Sequence, residues 1–306
     1  IKMPEDKAAI IPNCLVLGDI DVTDNDVIAS DDIISTAVEG EIYHESLTEP
    51  ENENALNIKL TYGGEKYSSG NADRIRAGKY ILTGEDNTAI YTDEYQDIFF
   101  DIPSKDVTVE KLYQLAGTQY EEYEANGINF EDGRKDASGE KIRDDIRVIG
   151  TNRSQECHIL QIRSDMPAEL ATVEWLSMSS AAYSPMVPFY GALLTDVAEP
   201  YKLAEKTQEN NPASAYGVFK AMDTFSRKNV NTVGEKVKDF YKGYVNKLEA
   251  DQKTVDAQMM EVYNSNPSQL EQKATDLGIS IGDQTVEMAK KLNAEVMSED
   301  YTLDFN

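Results

Sequence analysis

Residues 147–190 read RVIGTNRSQECHILQIRSDMPAELATVEWLSMSSAAYSPMVPFY, and the fold turns on two apolar runs inside this stretch. Side chains alternate along an extended chain, so in 158–163 Leu160 and Ile162 fall on one side and Ile159 and Gln161 on the other. The loose alternation predicts an interior strand with one wet edge. In 171–178 the only tryptophan, Trp175, stands close to Thr172 and Val173, which predicts a second buried strand. Ser179, Ser180, Ala181 and Ala182 follow it, and side chains this small admit another backbone or a substrate at close range. A polar corner with Arg153, Gln155, Glu156 and Cys157 precedes the first strand.

Read together, GTNRSQECHILQIR (150–163), Pro167-Ala168-Glu169 and Pro188-Phe189-Tyr190-Gly191 resemble the C-terminal half of the bacterial cysteine dipeptidases of the dipeptidase D type, which are N-terminal-nucleophile hydrolases. Pro12-Asn13 followed by Gly18-Asp19-Ile20-Asp21 extends the likeness, which runs from Ile1 to about residue 230. It implies an α+β fold, part of a four-layer αββα sandwich with a helical C-terminal third. Residues 1–206 are expected to supply later strands and connecting helices of the hydrolase core, and 207–306 a helical region. The family's nucleophile is a cysteine made N-terminal by processing. The resemblance therefore places the attacking thiol upstream of Ile1, and the missing N-terminal portion of the same protein becomes an expected partner. It also assigns supporting roles: Asn13 as a donor to the oxyanion, and Arg153 as a fixed positive charge orienting groups around the site.

The composition bounds the alternatives. With 306 residues, 40% of them hydrophobic, the chain can bury one large core or two ordinary ones. Twenty-nine basic against 56 acidic residues give a formal charge of −27, which repels nucleic acid and anionic lipid. No run approaches the roughly 20 apolar residues of a membrane span. Two cysteines, Cys14 and Cys157, are too few for a disulfide scaffold and suit a reducing compartment. A cytoplasmic location is expected; because the chain opens on Ile1, export stays open. No cofactor or resident metal is expected, and homo-oligomerisation is allowed.

Outward from the central stretch, 8–11 predicts a strand that breaks at Pro12-Asn13. Asparagine at such a break is also the ordinary residue of a tight turn. Residues 19–26, DIDVTDND, place oxygen ligands at alternate positions as a calcium loop does, but lack its sixth-position glycine and carry Ser30 where the glutamate belongs. The competing reading makes these acids the lead-in to a helix, with Ser30-Asp31-Asp32 as its start and Ile33, Ile34, Ala37 and Val38 as its stripe. Residues 44–57 are expected to be a surface loop, and His44 has no partner at catalytic spacing. Residues 71–82 predict a short helix whose arginines fit salt bridges or substrate equally.

Residues 107–124 have Val109, Leu112, Tyr113, Leu115, Ala116 and Tyr120 at helical spacing. Its tyrosines, with Tyr123, read as a core stripe ahead of a binding stripe. A long loop is expected over 126–145. Amphipathic helices are predicted over 214–227 and 233–263. Two more, 270–277 and 284–297, are expected to be separated by a turn at Gly278–Gly282.

A cysteine nucleophile needs something to raise its thiolate population. Cys157 and His158 are neighbours on a strand and so point to opposite faces, and Cys14 lies in an apolar run. The chain alone is therefore expected to be inactive as part of a hydrolase of short peptides. The rival reading is a non-catalytic acidic binding protein on the same scaffold.

Overall fold

Strand β1 (Lys7–Ala9) pairs antiparallel with β4 (Phe99–Asp101), and β2 (Asp19–Asp21) with β3 (Ala55–Asn57). In this computed structural model the described residues are 1–63, 69–85, 99–103, 107–120, 128–129, 135–136, 148–202 and 211–298. They belong to two compact units, one of Ile1–Thr108 and Glu122–Val148, the other of Val109–Glu121 and Ile149–Asn306. The architecture is α+β, with small antiparallel sheets and longer helices.

The first unit is organised by the β2–β3 pair. Ile20 opposes Leu56 across the ladder, and both are buried with Ile58, with Leu17, Val22, Ile33, Ile34 and Tyr43 packed around them. This corrects the expectation of a surface loop over 44–57: its last three residues are a buried strand, because Leu56 is the apolar partner that Ile20 needs. Helix α1 (Ile33–Glu39) starts after Asp32 and buries Ala37. Asn57 caps α2 (Ile58–Tyr62) by accepting the Leu60 N–H at 2.9 Å. Helix α3 (Ser69–Thr83) runs where the arginine-rich segment predicted one. Gly78 of α3 lies against Ile10, where any Cβ would meet the isoleucine side chain at 2.8 Å. Short strands β5 (Ile128–Asn129) and β6 (Lys135–Asp136) pair within the 126–145 segment. The remainder of that segment, and Tyr123, lie outside the described residues.

In the second unit the central stretch forms β7 (Cys157–Ile162), β8 (Thr172–Ser177) and β9 (Val187–Phe189), paired antiparallel in the order β7-β8-β9. The structure has the expected alternation, but among the described residues β7 lies at the edge of this sheet and not in its interior. Its outer residues Leu160 and Ile162 are 59% and 79% exposed. Its inner residues Cys157 and Ile159 pack on the core. Gln161 is polar on that inner face for a reason: its Oε1 accepts the indole N–H of fully buried Trp175 at 3.2 Å, and a buried Trp N–H needs such a partner.

The inner face meets α4 (Val109–Gly117) and α6 (Glu235–Ser265), with α7 (Leu270–Val296) beside them. Trp175, Val173, Tyr113, Val237, Tyr241, Val245, Met259 and Leu292 share one core. Helix α4 stops at Gly117, where a Cβ would lie 2.8 Å from the Ala181 carbonyl oxygen, and Tyr120 then takes φ +71°. A left-handed residue does not continue a helix, so the helix predicted over 107–124 ends at Gly117. The small residues after β8 thus admit a backbone, that of α4. A polar knot ties α6 to the sheet: Arg163 binds Asp256 and the Leu170 carbonyl, while Asp256 also accepts from the Tyr190 hydroxyl and from Gln252.

Helix α7 is continuous through the glycines expected to break it. Gly278 and Gly282 are there for close approach: Cβ atoms would lie 3.1 Å from Leu194 and 3.0 Å from Ala198. No helix among the described residues is long and apolar enough to cross a membrane.

Glycine in the middle of α6 tests the difference. Gly243 has open space around its missing Cβ, so Gly243→Ala is expected to stabilise by up to about 1 kcal/mol through helix propensity. Gly282→Ala, pressed on buried Ala198, is expected to destabilise by about 1–3 kcal/mol through overpacking. Denaturant unfolding of the two variants reads both signs, and a stabilising Gly282→Ala contradicts the packing account.

Candidate active site

Asn13 is the middle residue of a tight turn in which the Cys14 N–H donates to the Pro12 carbonyl at 2.8 Å, the three-residue turn common at strand ends. The residue is exposed. Helix α3 holds the turn: Asn71 Nδ2 donates to the Asn13 carbonyl at 3.2 Å, and Arg74 steadies Asn71 by donating to its Oδ1 at 3.2 Å. One arginine of the segment thus supports the turn through a neighbour. Cys14 is partly buried. Burial pushes its thiol up, against the opposing pull of Lys59, a hydrogen bond with Asn71, and Arg74.

The acidic run after it is wired internally. Asp19 accepts from Thr48 N–H and hydroxyl, both at 2.8 Å, and from Asn57 Nδ2 at 2.7 Å. Burial raises the Asp19 carboxyl, yet these hydrogen bonds outweigh it and the net shift is downward. Asp21 accepts from Thr23 and Asn52, and Asp24 from the Asp26 N–H. Among the described residues no three His, Cys, Asp or Glu side chains converge as metal ligands. Asp19 and Asp21 tie β2 to Thr48, Asn52 and Asn57, while Asp24 bonds within its own loop.

Arg153 belongs to the second unit, on the turn between Ile149 and Cys157, and is exposed. Its backbone N–H donates to Thr151 Oγ1 at 3.5 Å, and among the described residues no carboxylate lies within salt-bridge distance of its guanidinium. The turn beneath it sits directly on the end of α4. Gly150 N–H donates to the Thr118 carbonyl at 2.9 Å, and a Cβ on Gly150 would stand 2.4 Å from the Gly117 carbonyl oxygen. Only glycine fits there.

From the other side the turn is held by α5 (Ala215–Lys228), which starts where Ser214 Oγ accepts the Gly217 N–H. Lys220, Asp223 and Arg227 recur at helical spacing on one face. The Asp223 carboxylate is fully buried and accepts from Lys220 Nζ at 2.8 Å and Arg227 Nε at 2.7 Å. Each cation makes a further bond to the turn: Lys220 to the Asn152 carbonyl, Arg227 to the Gly150 carbonyl at 2.7 Å. Arg227 also reaches Ser180 Oγ at 3.0 Å and lies over the Tyr183 ring. The sequence reading missed these three residues. The signal available to it was a Lys-x-x-Asp-x-x-x-Arg spacing inside an amphipathic helix, which looks the same as a solvated charge pair.

Cys157 and His158 do separate. Cys157 faces inward, where burial, and then Glu156, push its thiol up to about 11. His158 faces outward with Nδ1 3.0 Å from Glu156 Oε2, and that hydrogen bond raises its pKa. Asn13 and Arg153 lie in different units, each held by its own supports.

The thiol shift gives a measurable consequence. At pH 8 alkylation of Cys157 is expected to run about 100-fold slower than that of an unburied cysteine, since its pKa of about 11 stands two units above 9.0 and only the thiolate reacts. The rate should climb about tenfold per pH unit through pH 10. Rapid labelling of Cys157 at pH 7 contradicts this.

Comparison with known proteins bears on what such a site serves. The model of peptidase family C69 matches residues 1–243. A protein named probable dipeptidase B from Streptococcus pyogenes serotype M1 is 25% identical over 303 residues, covering 98% of this chain and 58% of the relative. Dipeptidase A from Lactobacillus helveticus is 28% identical over 197 residues, 63% of this chain and 38% of its own length. A probable dipeptidase B from Lactococcus lactis subsp. lactis is 25% identical over 221 residues, 71% and 43% respectively. The chain spans less than two thirds of the length of these relatives. With four fifths of its residues matched, including those that carry Asn13 and Arg153, the chain belongs to peptidase family C69.

Proposed function

We propose that this chain is part of a cysteine dipeptidase of the N-terminal-nucleophile type, with the attacking cysteine on residues outside these 306. The observation that carries the reading is the family match over residues 1–243, which takes in both supporting residues. The relatives named as dipeptidases support it. So does the state of the two thiols here, both raised by burial, because nucleophilic attack needs a thiolate.

In the proposed reaction the thiolate sulfur bonds to the carbonyl carbon of a dipeptide, and the carbonyl π electrons move onto oxygen. The Asn13 amide donates to that oxyanion. Collapse expels the amine, which takes the proton first removed from the thiol by the N-terminal α-amine. Water then cleaves the thioester, releasing the acid and the thiol. The Arg153 guanidinium, exposed and projecting from a seated turn, suits bidentate contact with the free carboxylate that distinguishes a dipeptide from a longer chain. The four-layer αββα arrangement is part of the same proposal, as is a reducing, cytoplasmic setting, which two free cysteines suit.

The experiment is dipeptide hydrolysis by the product of the complete reading frame, compared with the 306-residue chain. The complete product is expected to cleave dipeptides and to lose that activity when its processed N-terminal cysteine is replaced, while Cys157→Ser retains it. The 306-residue chain is expected to show no turnover; turnover by it alone contradicts the reading. Asn13→Ala is expected to lower kcat about 10²- to 10³-fold. Arg153→Ala should lower kcat/KM about 10- to 100-fold.

A further inference from the structure

We propose that Asp223 is a positioning residue for Arg153, acting through Lys220 and Arg227; this rests on the reading of Arg153 as the guanidinium that orients the dipeptide. The geometry is specific. A carboxylate with no solvent exposure is bonded by two cations from its own helix. Each of those cations has a second bond to a backbone carbonyl of one short turn, at residues 150 and 152. An ion pair that served only to stabilise α5 needs no such reach, since i,i+3 and i,i+4 pairs are satisfied on the helix surface.

Backbone geometry on the opposite side explains why two straps are needed. The turn rests on Gly117 and Thr118 without an intervening side chain. Nearby, Tyr120 and Ser179 hold φ of +71° and +118°, conformations that side chains other than glycine adopt only when the surroundings impose them. Arg227 bonds both the Gly150 carbonyl and Ser180, so one guanidinium fixes the turn relative to the segment after β8. Lys220 then fixes the carbonyl of Asn152, the residue immediately before Arg153. With that carbonyl free, the turn could rotate about 151–153 and carry the guanidinium away from its target, and a displacement of about 1 Å can reduce turnover about 10²-fold.

Lys220→Met is the informative change, because Asp223 keeps Arg227 as its counter-ion and the aliphatic stem is preserved. In the 306-residue chain, amide hydrogen exchange at 151–154 is expected to rise at least about tenfold while amides within α5 keep their protection. In the complete enzyme, Lys220→Met should lower dipeptide kcat/KM about 10-fold or more, and Lys220→Arg should restore most of it. The same Lys220→Met change in an Arg153→Ala background should cost nothing further, because two residues acting through one contact are not additive.

Equal losses in both backgrounds, or unchanged exchange at 151–154, overturn the positioning role while leaving the dipeptidase reading intact. Should Arg153→Ala itself leave turnover unchanged, the assigned role of Arg153 falls and the positioning role falls with it, even if exchange at the turn responds to Lys220→Met.

Discussion

The carboxylate of Asp223 is shut away from solvent between Lys220 and Arg227, and the turn that carries Arg153 hangs from those two cations. A charge in that position is costly to desolvate, and removing one partner of a buried ion pair costs about 3–5 kcal/mol. What offsets the cost is the number of bonds made at once. Two cations bond the Asp223 carboxylate and two backbone carbonyls within one cluster. The opposite side of the turn contributes backbone alone: Gly150 N–H donates to the Thr118 carbonyl, and Gly150 on Gly117, and Gly117 on Ala181, approach without side chains between them. The strapped turn is therefore specified twice, by glycines that permit it and by charges that require it.

The parts of the fold visible in the sequence are those with local causes. Helices α5 and α6 appear where the three-and-four spacing of Val218, Phe219 and Met222, and of Val237, Tyr241, Val245 and Leu248, puts apolar groups on one face. Strand β8 appears around Trp175. The parts that escaped depend on neighbours distant in the chain. Gly278 and Gly282 look like a turn in isolation, but lie inside a continuous helix that packs closely on Leu194 and Ala198. Residues 55–57 look like loop, and become a strand because Ile20 lies across from Leu56. Strand β7 has the alternation of a half-buried strand, which is silent on whether a neighbour pairs with its far edge.

The site divides along the same line. Asn13 and Arg153 were reachable through motif likeness, which carries roles without geometry. Their supports are physical and non-local: Asn71 lies 58 residues from the carbonyl it binds, and Arg227 lies 77 residues from Gly150. No spacing rule connects residues so far apart. Cys157 and His158 show the converse, since the period of two along a strand was enough to separate them, and the structure adds that burial suppresses the thiolate.

The family match ends at residue 243, within α6, yet the helices beyond it are not accessory to the turn. Val286 and Ala289 of α7 are buried against Ala215, Val218 and Phe219 of α5, and Asn293 Nδ2 donates to the Val218 carbonyl at 2.8 Å. That carbonyl lies in the turn of helix before Lys220. The axial position of α5, and with it the reach of Lys220 and Arg227, is therefore fixed from behind by residues 286–293, while Gly278 and Gly282 set how closely α7 can approach the 189–201 segment. The seat of the Arg153 turn thus depends on residues on both sides of position 243. The small residues and Asn293 that seat α7 on its neighbours are therefore part of what holds α5 in place.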